Sequence, residues 1–79
     1  MFHNNVHYIN RLGIASDKYV LDEYDKVTWY LESWRSDYDL KRRSGDIDEA
    51  FELLVCILED EEYLEAIEGE LRKRNLAVA

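Results

Sequence analysis

Between Asp17 and Arg43, apolar side chains stand at Val20, Tyr24, Val27, Leu31, Trp34 and Tyr38, spaced 4, 3, 4, 3 and 4 residues apart. Alternating steps of three and four keep side chains on one side of a helix with 3.6 residues per turn, so this segment reads as one long helix with a heptad-like stripe. Little in the chain opposes long helices. Proline is absent, and the only glycines are Gly13, Gly45 and Gly69. Ser16 or Asp17 can cap the start. Lys41, Arg42 and Arg43 occupy the last turn, where cations suit the helix dipole, and Gly45 supplies a left-handed stop.

A second helix begins at once. Asp46 is a good N-cap, and Glu49 three residues later completes a capping box. The connection Ser44-Gly45-Asp46 is short, so the two helices are expected to fold back antiparallel. In the second helix Ile47, Phe51, Leu54 and Leu58 hold one phase, and Leu64, Ile67 and Leu71 resume in another. The phase breaks at Glu59-Asp60-Glu61-Glu62. Two geometries follow: one continuous helix with Glu61 on its seam, or a kink near Asp60 with an acidic new first turn. Gly69 sits inside the later half, and Arg72, Lys73 and Arg74 close it. Upstream, Phe2, Val6, Ile9 and Leu12 share helical spacing, which predicts a short helix ended by Gly13 and packed across the hairpin. An extended Val6-His7-Tyr8-Ile9 is the alternative. The expected fold is all-α and a single domain over 1–79: a short helix in 1–13, a first long helix over 17–43 and a second, acidic one over 46–75.

Seventy-nine residues hold one domain at most, near the size at which a single core suffices. Hydrophobic residues make up 47%, too many for a disordered chain, and Cys56 is the only cysteine, so no disulfide framework exists. A hairpin this short leaves apolar surface over, and homodimerisation by helix packing would bury it. A formal net charge of −8 argues against contact with DNA, RNA or anionic lipid. No apolar run approaches the roughly 18 residues of a membrane span, and Met1-Phe2-His3-Asn4-Asn5 lacks the features of a signal peptide. A cytoplasmic location is the expectation.

The charge is unevenly placed. From Asp46 to Glu70 there are eleven carboxylates and no lysine or arginine. Along a helix this is roughly one charge per 3.4 Å of axis, close to the phosphate spacing of one strand of B-DNA. In the hairpin, Lys41 to Arg43 would lie beside Asp46, Asp48 and Glu49, and Arg72 to Arg74 would return near Asp17, Asp22 and Glu23. The middle of the second helix is then expected to lack basic neighbours. Glu59, Asp60, Glu61, Glu62, Glu65 and Glu68 therefore form the candidate partner-binding set, against the plain alternative of a solvated face. Trp29 lies opposite the stripe of the first helix. It is either part of a dimer seam or a partner contact, or it is covered by the N-terminal segment through Phe2, Val6 or Ile9.

Other constellations are weaker. His3 and His7 stand at i, i+4, but two ligands are not a metal site. Glu-x-x-Glu pairs occur at Glu49/Glu52, Glu59/Glu62, Glu62/Glu65 and Glu65/Glu68, a spacing that magnesium-dependent helical hydrolases use. Here the other helix offers no matching row and no cation is placed to hold phosphates. Cys56 lies in the apolar run Leu53–Leu58 and reads as a core residue. No catalytic residue, cofactor or metal is expected. In size and charge alone the chain resembles small acidic proteins made by phages and mobile elements to block host nucleic-acid-binding enzymes, and also bacterial toxin-immunity proteins. No motif carries that resemblance, so no residue role follows from it. The expectation is a non-enzymatic module that occupies a basic surface on a nucleic-acid-binding protein, in its sharpest form an inhibitor that mimics nucleic acid. The alternative is a structural or adaptor protein that pairs with itself or a partner helix through apolar seams.

Overall fold

The computed structural model describes residues 6–76 as three helices, α1 Val6–Leu12, α2 Asp17–Arg43 and α3 Ile47–Lys73. The two long helices pack against each other as an antiparallel hairpin, as expected. Ser16 in extended conformation caps α2, its Oγ accepting the Tyr19 N–H at 3.1 Å. At the other end Gly45 takes φ 84°, a region open to glycine at little steric cost. There the Gly45 N–H donates to the Arg42 carbonyl and the Asp46 N–H to the Lys41 carbonyl. The Asp46 carboxylate accepts the Glu49 N–H at 3.3 Å and starts α3. The reciprocal half of the capping box is replaced by an ion pair, Lys41 Nζ to Glu49 at 2.6 Å.

The α3 helix is continuous through Asp60. The expected stripe in its first half is the wrong one. Ile47 is 63% exposed, Phe51 63% and Leu58 58%, whereas the buried side is formed by Ala50, Ile57, Tyr63, Ile67 and Leu71. Ala50, Ile57, half-buried Leu64 and Leu71 recur every seven residues, so one unbroken phase runs the length of the helix. That phase places Asp60, not Glu61, on the seam. The carboxylate is tolerated there because Trp34 lies across from it, the indole Nε1–H donating to Asp60 Oδ2 at 3.0 Å.

In α2 the stripe is as expected. Val20, Val27 and Leu31 are buried, and Tyr24, Trp34 and Tyr38 pack partly buried against them. The short α1 packs on α3, with Leu12 buried and the Tyr8 ring edge-on to Tyr63 at 6.2 Å. Arg74 ties all three helices together. Its guanidinium donates to Glu70 (2.7 Å), to Asp17 (2.9 Å) and to the Leu12 carbonyl (2.7 Å). The chain leaves α3 through Asn75 at φ 58°, where the Leu76 N–H donates to the Leu71 carbonyl.

The result is long and thin, 43 × 26 × 14 Å. Its radius of gyration of 14.2 Å exceeds the about 12 Å of a compact chain of this length. Among the described residues, Ile47, Phe51 and Leu58 on the outer side of α3 remain more than half exposed.

Candidate functional site: the outer face of α3

At about 100° per residue, Ile47, Phe51, Leu54 and Leu58 fall within an arc of about 60°. Glu61, Glu62, Glu65 and Glu68 continue the same side within about 120°. The outer face of α3 is therefore apolar along its first half and acidic along its second. Glu61, Glu62 and Glu65 are exposed and Glu68 is half-buried. The remaining two members of the expected acidic set are placed differently. Asp60 is withdrawn into the seam against Trp34, and Glu59 is half-buried on the flank of the helix.

The expectation that mid-α3 lacks basic neighbours is overturned at one point. Arg35 reaches across from α2 to Glu61 at 3.4 Å. The register sets this contact: the hydrogen bond from Trp34 to Asp60 carries the next residue of each helix into reach. Both partners are about half exposed, so the pair is worth roughly 0–1 kcal/mol and leaves the local field negative. The end pairs form as expected, Lys41 with Glu49 and Arg74 with Asp17. Glu62 and Glu65 form no ion pair among the described residues.

Trp29 is 63% exposed, and its ring meets Tyr30 edge-on at 5.4 Å. It lies on the side of α2 turned away from α3 and does not join the acidic set. Val6 is itself 60% exposed and Ile9 packs on the core, so Trp29 stays largely open to solvent; Phe2 lies outside the described residues. His7 is exposed, while His3, its expected companion, also lies outside them. Among the described residues no group of three or more His, Cys, Asp or Glu side chains could hold a metal ion. No helix there is long and apolar enough to cross a membrane.

Two sites escape a reading of the sequence. A groove of about 430 Å³ lies between the helices, lined by Trp34, Lys41, Glu49, Leu53 and Cys56 among others. The Cys56 thiol there is pushed up by burial and by the carboxylates of Glu59, Asp60 and Glu52, the opposite of what a nucleophile needs. On the seam, Glu23 is only 9% exposed, accepting the Tyr63 hydroxyl at 2.9 Å and pairing with Lys26 at 2.8 Å. Burial, then the hydrogen bond to Glu23 and its charge, hold the Tyr63 phenol well above its ordinary range. Tyr63 is one residue ahead of the seam position at Leu64, and that adjacency is the one sign of it in the sequence. Comparison with known proteins found no matching family, curated protein or solved structure.

Proposed function

We propose that this protein is a non-enzymatic binding module that uses the outer face of α3 to occupy a basic surface on another protein. The observation that carries this reading is the set Glu61, Glu62, Glu65 and Glu68, gathered on one side of a continuous helix, with Arg35 the one cation paired to it among the described residues. Four carboxylates within about 10 Å of helix axis make a concentrated negative field. Such a field speeds encounter with a basic partner and makes the complex sensitive to salt. In its sharpest form the partner is a nucleic-acid-binding protein, and the carboxylates take the place of phosphates, as an anti-defence inhibitor would. Asp60 and Trp29 are outside the proposed contact.

The test is capture of partners from lysate with nuclease present, comparing the native chain with Glu61→Lys/Glu62→Lys/Glu65→Lys. The expected result is a basic protein held at low salt, released at several hundred millimolar salt and lost with the triple variant while helicity is unchanged. A partner that survives the charge reversal refutes the reading. The alternative, pairing through apolar seams, is favoured by the row of exposed Ile47, Phe51 and Leu58 with half-buried Leu54. It predicts association that high salt does not weaken.

A further inference from the structure

We infer that two copies of this chain pair antiparallel through the outer face of α3, Ile47, Phe51, Leu54 and Leu58 of one meeting the same row of the other. The inference is independent of the acidic-face reading. It starts from the apolar row, which has three of its four members more than half exposed along one side of a straight helix. A twofold axis between Phe51 and Leu54 would set Ile47 against Leu58 of the second copy and Phe51 against Leu54. The row is thus self-complementary, as a twofold interface requires.

Charge selects this orientation. In that register the Glu61, Glu62 and Glu65 carboxylates of one copy run past the start of α3 in the other. They meet Arg42 at the basic end of α2, where Asp46 is engaged as the α3 N-cap and Glu49 is paired with Lys41, while Asp48 on the flank remains a like charge. Arg42 lies on this side, lining a shallow hollow with Tyr38, Ile47, Ala50, Phe51 and Leu54. Its neighbours Lys41 and Arg43 are held by Glu49 and Asp39, but Arg42 makes no ion pair among the described residues. Glu62 and Glu65 make none either, so each copy offers an unpaired cation and unpaired carboxylates at opposite ends of the same row. A parallel pairing would instead stack the carboxylates of the two copies against each other.

Sedimentation equilibrium from micromolar to millimolar protein tests the pairing. The native chain is expected to shift from the 9.5 kDa monomer to twice that mass with rising concentration. Phe51→Asp, at an exposed position, should stay monomeric with unchanged helicity. Arg42→Glu and Glu62→Arg/Glu65→Arg should each lose the dimer when alone. Mixed in equal amounts they should recover it, since each then offers the charges that the other needs. A native chain that remains monomeric throughout overturns the inference. So does a dimer indifferent to Phe51→Asp, or a mixture of two folded charge variants that fails to pair.

Discussion

At Asp60 a carboxylate occupies the seam between the long helices and accepts the Trp34 indole N–H. Removing that donor with Trp34→Phe keeps most of the packing and loses the hydrogen bond. The expected cost is about 1–3 kcal/mol, read by chemical denaturation. The Glu23–Tyr63 pair carries a pH signature as well. The Tyr63 phenol is raised from an ordinary value of 10.0. Below pH 10 the phenol is protonated in both folded and unfolded chains, and its contribution to stability is fully present. Above that pH the unfolded chain releases the proton while the folded chain keeps it, so stability is lost as pH rises toward the folded value. Melting temperature is therefore expected to fall more steeply above pH 10 in the native chain than in Tyr63→Phe, which starts lower because Glu23 has lost a donor. Equal slopes would show that the Tyr63 proton is not linked to folding.

Among the described residues, each long helix has a side that its neighbour buries and a side that stays exposed. In α2 the covered side was legible because six apolar residues keep one heptad-like phase over the whole helix, while Leu21, Trp29, Tyr30 and Leu40 fall off it and are exposed. The caps were legible for the same local reasons: Ser16, Gly45 and Asp46 each do the one thing their side chains favour at a helix end. In α3 the first twelve residues hold two apolar rows, and local spacing cannot tell which of them faces α2. Ile47, Phe51, Leu54 and Leu58 make the more obvious row, yet small Ala50 and Ile57 are the ones buried, since their phase runs on through Leu64 and Leu71. Reading that longer period also removes the need for a kink. Gly69 remains inside α3, and a Cβ placed there meets no atom within 4 Å. Gly69→Ala is thus expected to stabilise the fold by about 1 kcal/mol, visible as a rise in melting temperature. Arg74 acts the other way: Arg74→Ala releases the junction of the three helices and should lower the melting temperature. It should also speed amide exchange in α1 before the rest of the hairpin opens.

At the scale of the molecule, a two-helix layer 14 Å through leaves Ile47, Phe51 and Leu58 on the outer side of α3 exposed, and both proposed contacts use that side. The acidic half of the candidate site was visible in the sequence as a run of like charge, although spacing could not show that Asp60 turns inward and that Arg35 reaches Glu61. The apolar half was read as core. Both proposed contacts use one face: a second copy lays its row over Ile47 to Leu58 and brings Arg42 to Glu62 and Glu65, where a basic partner would also bind. Self-pairing and partner binding are then mutually exclusive, and partner binding should weaken as protein concentration rises through the dimer range.

The central claim is that one face, rather than overall charge, binds the partner. Two variants of equal charge change separate these. One is Glu61→Lys/Glu62→Lys/Glu65→Lys on α3, and the other is Asp25→Lys/Glu32→Lys/Asp37→Lys at exposed positions of α2. Partner capture at low salt is the measurement. The account predicts that the α3 variant loses the partner and the α2 variant keeps it. Equal loss from both, or loss from the α2 variant alone, would contradict it.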